Sequence, residues 1–383
     1  MKLVAAATYT LLACLAFAAE TPAELGIRKA QEEITKHPKE FASRNSLSMA
    51  YARRARETSD VTYYTRAEEA LQESFLIAPD NFEGLKVKAW LLLGHHEFAK
   101  ALEVAAALNK RNPDDATVYG YLVDANAELG RYSDAVDAAQ WMLNLKPGGV
   151  AGLTRAGYLR ELHGQIPGAI EAMQMAYDAT PFQETEDRAW LLTPIAHLHI
   201  LDGDLKKAET YAAGALGLFP NYHYALGVLA QVRLAQERSG EAVTLLQTRY
   251  AAAPHAENLF ALAAAQRKAG YTEEAAGSFA EFEQKALRES KMADNANHEL
   301  IAYYIDIAQE PAKALELARQ ELSRRQDVFT LDSYAWALAA NGDYKRADAE
   351  IHRALAVGVK DPGILGHANA IALRLRHTEN ASR

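Results

Sequence analysis

Alanine returns along this chain on a beat of about 34 residues, at Ala67, Ala101, Ala135, Ala169, Ala208, Ala242, Ala276, Ala314 and Ala347. Before each of the last eight, twelve residues upstream, stands a second and usually small residue: Ala89, Val123, Gly157, Ala196, Ala230, Ala264, Ala302 and Ala335. Proline keeps similar time at Pro79, Pro113, Pro147 and Pro181, and again at Pro220 and Pro254. A period of this length argues against one globular core, because each unit buries its apolar side against the next and the core grows by stacking.

Residues 114–147 show the unit. Tyr119, Leu122, Val123 and Asn126 fall three and four apart, as do Ala135, Ala139 and Met142, so the stretch predicts two short amphipathic helices. Gly130 and Arg131 part them. Pro147 ends the second, since its ring cannot continue the hydrogen-bond ladder. Small side chains at the two spaced positions let the helices cross closely while larger neighbours fill the flanks.

This pattern resembles the tetratricopeptide repeat family, whose unit is a 34-residue helix-turn-helix with small residues at set places and a proline near its end. The resemblance covers residues 40–358 and implies an all-α fold: a right-handed α-solenoid of about nine repeats with a C-terminal capping helix. The repeats are expected at 41–79, 80–113, 114–147, 148–181, 182–220, 221–254, 255–294, 295–327 and 328–358, after a lead-in at 19–40 and before a cap and tail at 359–383. Two spacings are irregular. Ala50 and Ala67 stand 17 apart, which puts extra residues in a polar loop at 56–62. Ala169 and Ala208 stand 39 apart, which puts an insertion at 181–188, as a solvated loop or an added helical turn, and sets Pro194 near the start of the next helix. Asp361 and Pro362 open the last helix, with Ile364, Leu365, Ala368, Ile371, Ala372 and Leu375 as its apolar stripe.

The N-terminus is different in kind. Lys2, an apolar run over 3–17 and the small-x-small site Ala16-Phe17-Ala18 look like a secretory signal peptide over 1–18, cleaved near Ala18. That predicts an exported bacterial protein, periplasmic or extracellular. Two alternatives attach it to a membrane: a retained leader, although the run falls short of the ~20 residues a span needs, or lipidation of Cys14, since Leu11-Leu12-Ala13-Cys14 loosely resembles a lipobox. Cys14 is the single cysteine, so the chain beyond the leader has no disulfide and no thiolate chemistry. Lys and Arg number 41 against 50 Asp and Glu, a net charge of −9, and no basic stripe offers itself to nucleic acid or to an anionic membrane surface.

No phosphate-binding glycine loop, HExxH, GxSxG or EF-hand loop is present. Asp202-Gly203-Asp204 and Asn341-Gly342-Asp343 read as turns between helices, and His95, His96 and Glu97 as solvated turn residues. His197 and His199 are two apart on one helix and face opposite sides. The expectation is a protein with no cofactor, metal, small-molecule substrate or catalytic site.

In the resembled family the first helices of successive repeats line an inner groove, and residues one place after the small position point into it. Here those are Trp90, Asp124, Tyr158, His197, Gln231, Ala265 and Trp336, with Tyr121 and Arg155 beside them. Rings and hydrogen-bonding groups in one row suit an extended peptide. The alternative for Trp90 and Trp336 is packing against adjacent helices, which is how Trp141 and Trp190 are read. A lysine and asparagine clamp for a terminal carboxylate is absent, since Lys86 has no matching partners. The expected function is a non-enzymatic scaffold holding a protein or peptide in its groove. The alternatives are an accessory subunit of an envelope assembly that docks by its outer face, and a metal protein or enzyme built on the solenoid.

Overall fold

The computed structural model describes residues 20–58, 60–290 and 295–381. The leader, its cleavage site and Cys14 lie outside the described residues. Among those described there are twenty helices and no strand. α1 (Pro22–Lys36) leads in. Nine pairs follow: α2 (Phe41–Thr58) with α3 (Thr62–Ile77), α4 (Phe82–Gly94) with α5 (Phe98–Arg111), α6 (Ala116–Glu128) with α7 (Tyr132–Leu145), α8 (Val150–Leu162) with α9 (Ile166–Ala179), α10 (Thr185–Leu201) with α11 (Leu205–Leu218), α12 (His223–Ala235) with α13 (Ser239–Ala252), α14 (Ala256–Lys268) with α15 (Thr272–Glu289), α16 (Asn297–Asp306) with α17 (Pro311–Arg324), and α18 (Val328–Ala340) with α19 (Tyr344–Leu355). α20 (Pro362–Ala381) ends the series. Each helix packs on the next, which makes an α-solenoid.

Local chemistry explains the punctuation. Asn81, Asp115 and Asp327 cap α4, α6 and α18 by accepting from backbone N–H groups of the first turn. Within repeats two to nine, the turn between the paired helices passes through one residue of positive φ: His96, Gly130, Gly164, Gly203, Glu237, Gly270, Gln309 or Gly342. There the chain reverses with bonds such as Arg131 N–H to the Asn126 carbonyl, which satisfy carbonyls the helix end would otherwise leave open.

The alanine beat is the crossing of each pair. Ala67, Ala101, Ala135, Ala169, Ala208, Ala242, Ala314 and Ala347 are each 0% exposed. The seventh repeat departs from the expectation. Ala276 is exposed there and Ala275 is buried in its place, with Ala263 rather than Ala264 opposite, because the link from α13 to α14 brings this repeat in one residue early. Ala265 is consequently buried, not on an inner surface. In the eighth repeat Ile301 is buried and Ala302 only partly so.

Both irregular spacings resolve as helix. α2 runs 18 residues to Thr58, so the extra length of the first repeat is helical rather than a polar loop. α10 runs 17 residues from Thr185, so its insertion is an added N-terminal turn and Pro194 is its tenth residue, well inside the helix. That turn is only partly solvated: Glu186 is 0% exposed, while Thr185, Asp187 and Arg188 are half-buried.

The coil of repeats also touches itself. Arg53 Nη2 lies 3.1 Å from Glu184 and 3.2 Å from Asp187, and Arg56 Nη2 lies 2.5 Å from Glu186 and 2.7 Å from Asp187, tying α2 to the start of α10. Tyr222 donates to Glu186 at 2.6 Å, and His223 Nε2 sits 3.2 Å from the Arg56 carbonyl. Farther along, Gln326 N–H donates to the Glu128 carbonyl (2.8 Å), Val328 N–H to the Tyr132 hydroxyl (2.9 Å), and Arg325 pairs with Glu128. Gly130 abuts Gln326, and Gly164 abuts Gly358. One apolar core therefore includes Val123, Leu159 and Leu162 of early repeats together with Leu331, Ile364 and Ile371 near the C-terminal end. Turns of the first four repeats form one edge of the ribbon, and that edge rests on the loops that open later repeats.

Candidate functional site

Three successive first helices, α6, α8 and α10, build a cavity of about 340 Å³ whose wall includes Asp124, Thr154, Arg155, Tyr158, Glu161, Met173, Trp190 and Pro194. Arg155 reaches from α8 across to α6. Its Nε and Nη2 meet Asp124 at 2.8 and 2.5 Å, and Nε also donates to the Gly120 carbonyl at 3.1 Å. This planar, two-pronged pairing is the geometry guanidinium and carboxylate favour. Gly120 leaves room for it: a β-carbon there would stand 3.1 Å from the guanidinium carbon, so the arginine would have to shift by a few tenths of an ångström.

Beside this pair the Tyr158 ring faces the cavity, partly buried. Burial raises its pKa well above the ordinary phenol value, and the charges of Glu128, Asp327 and Glu161 add to the shift. His197 sits one helix on, its Nε2 3.3 Å from Glu161. Burial alone would lower its pKa, but the hydrogen bond and charge of Glu161 outweigh that and raise it, with help from Gln231 and Asp361. The wall is thus mostly apolar, with one neutralised ion pair and one carboxylate-imidazole contact.

Of the residues read as groove wall, Asp124, Arg155 and Tyr158 come together here, and His197 with Gln231 adjoins them through Glu161. Tyr121 is buried in the core with Ala89 and Leu108. Trp90 lines a different cavity of about 470 Å³, with Met49, Arg53, Arg56 and Asp187. Trp336 is covered by α20: it stacks on His367 at 4.4 Å, Arg374 lies over its ring, and its Nε1 donates to Asp306 at 3.3 Å.

The two tryptophans read as packing do pack, Trp190 against the core around Leu191 and Trp141 on Tyr119, and each also faces open space. Trp190 lines the inner cavity, brought there by the longer α10. Trp141 is 55% exposed on α7, stacked on Tyr119. The turn histidines are not simply solvated either. His95 pairs with Glu68 at 3.0 Å, and His96 stacks on Phe98, its pKa lowered to about 3 by burial and by Arg325 and Arg324 of a later repeat. Among the described residues no cluster of three or more metal-ligating side chains is found, and no helix is long and apolar enough to cross a membrane.

No family model matches the chain, and no curated protein matches it. Solved structures do. The APC/C hetero-tetramer Cut9–Hcn1 aligns over 91% of this chain at 14% identity with a TM-score of 0.50; the match covers 59% of that chain, so this protein spans about three fifths of its length. A human IFIT1 dimer solved with m7Gppp-AAAA aligns over 86% of this chain and 85% of its own at 13% identity, with a TM-score of 0.53. At such identities the likeness is one of architecture. Repeat length, buried alanine crossings and these superpositions agree, and the chain has the fold of the tetratricopeptide-repeat solenoids.

Proposed function

We propose that this protein is a non-enzymatic scaffold that holds an extended segment of another protein against the inner wall of its coil, in the periplasm or outside the cell. The observation that carries the reading is the cavity where Asp124, Arg155 and Tyr158 meet Trp190 and Pro194. Aromatic rings beside hydrogen-bonding groups, fixed on three rigid helices, suit side chains and amides of an extended chain. Cross-linking in the native host, followed by mass spectrometry, tests it. Tyr158→Ala combined with Trp190→Ala should abolish recovery of the partner while circular dichroism stays unchanged; undiminished recovery would remove the inner wall from consideration. Export is tested separately, since cleavage after Ala18 gives a mature chain beginning at Ala19 and a chain still beginning at Met1 refutes it.

A second reading, an accessory subunit that docks by its outer face, is favoured by a different observation. Trp141 on α7 and Met175 on α9 stand 34 residues apart, at the same place in successive repeats, and are 55% and 49% exposed. Large exposed apolar side chains in line mark a surface that buries itself against something. Loss of a cross-linked neighbour in Trp141→Ser, with retention in the Tyr158 and Trp190 double variant, would select this face.

A further inference from the structure

The cavity beside Tyr158 has open acceptors and no unpaired cation among its lining residues. Its one cationic side chain is engaged. Arg155 gives Nε to Gly120 and Asp124, Nη1 to the Ala151 carbonyl and Nη2 to Asp124, and Thr154 gives its hydroxyl to Ala151 as well. Its acceptors are left over. Glu161 has one ionic contact among the described residues, the His197 ring at 3.3 Å. Pro194 has no N–H to offer the Trp190 carbonyl one turn earlier in α10, so that oxygen lacks its ordinary helical donor. The Tyr158 hydroxyl makes no hydrogen bond among the described residues. Glu128 and Asp327 add negative charge near Tyr158, although Arg325 pairs with both.

A ligand that brings positive charge and donors, and that tolerates aromatic faces, suits these open acceptors. We propose that the cavity takes the cationic side chain, lysine or arginine, of the bound segment. Its charged head meets Glu161 and the Trp190 carbonyl, and its methylenes lie along Tyr158, Trp190 and Met173. An acidic side chain would meet like charge, and an apolar one would leave the acceptors unmet in a partly dry site. The net charge of −9 draws a basic segment toward the coil in the first place. This inference rests on the reading of the inner wall as the binding surface.

The test uses the whole mature protein and three short fluorescein-labelled, alanine-rich peptides that differ at one central residue: lysine, norleucine or glutamate. Fluorescence anisotropy should show the lysine peptide bound roughly tenfold tighter than norleucine at low salt, with glutamate weakest and the lysine advantage shrinking at high salt. Glu161→Gln should erase the difference between lysine and norleucine. Glu161→Asp, which keeps the charge, should retain it, and far-UV circular dichroism checks that both variants fold. Norleucine binding as tightly as lysine, or a lysine preference that survives Glu161→Gln, overturns the cationic assignment and leaves the inner wall standing. Failure of every peptide to bind, or binding indifferent to Tyr158→Ala with Trp190→Ala, overturns both.

Discussion

His298 accepts from Arg325 Nη2 at 2.7 Å and lies within 3.3 Å of the Thr330 hydroxyl, at the place where a late repeat meets Glu128 of an early one. Burial and the Arg325 charge lower its pKa to about 4, against the opposing pull of Asp327. The fold therefore refuses a proton that the unfolded chain accepts below about pH 6.5, so stability falls as pH drops from there toward 4. Glu128 works in the other direction, its carboxyl raised by burial and by Asp327. His367 also opposes: burial would lower it, but the Asp332 carboxylate 2.9 Å away raises it, so its contribution is full below about pH 6.5 and lost as pH rises through its folded value. A single variant separates these effects. His298→Gln keeps an acceptor for Arg325 but has no proton to gain, so its melting temperature should fall less steeply between pH 6.5 and 4.5 than the wild type's; equal slopes would show that His298 is not refusing that proton. None of this was legible in the sequence. His298 stands in the eighth repeat, and its partner Arg325 is held in turn by Glu128, 197 residues before that arginine.

Among elements, the paired helices were legible because a 34-residue beat in small residues leaves little choice of where two helices cross. What the beat could not show was whether an insertion is loop or helix. Spacing counts residues, not conformation, so 56–62 was read as a polar loop and 181–188 as loop or helix, whereas α2 runs on to Thr58 and α10 begins at Thr185. The site followed the same division. Asp124, Arg155 and Tyr158 were placed on one wall by their register together with the groove of the resembled family, whereas nothing in the spacing marked that Trp190, which packs on the core, also lines the cavity. The turn between α8 and α9 shows a second limit. Gly164 has a φ of 69°, and nothing nearby in sequence says that a β-carbon there would overlap the Gly358 carbonyl oxygen. Gly203 has a similar φ of 82° with open space around it. Gly203→Ala should cost roughly 1 kcal/mol, from left-handed backbone strain alone. Gly164→Ala should cost roughly 1–3 kcal/mol more, from overpacking against the later loop. Urea denaturation of the two variants compares them directly, and equal losses would mean that the Gly358 contact is easily given up.

For the whole molecule, the decisive feature is that the ribbon of repeats rests on itself. In an open solenoid each repeat answers only to its neighbours. Here α2 holds α10 through Arg53 and Arg56, so a change in the first repeat reaches the fifth and sixth. Arg56→Ala would leave Glu186 buried with the Tyr222 hydroxyl and with Arg53 at 3.8 Å. Removing one partner of a buried ion pair costs roughly 3–5 kcal/mol, and the nearby Arg53 places this loss toward the lower figure. The same variant should widen the coil, seen as a larger radius of gyration in small-angle X-ray scattering. An unchanged radius together with a lowered melting temperature would confine Arg56 to local support. The self-contact also gives the molecule a mechanical character. Pulled from its two ends, a plain stack of repeats stretches like a soft spring. This one keeps its length until the grips at Arg56 and Gln326 let go, and then it gives way in jumps.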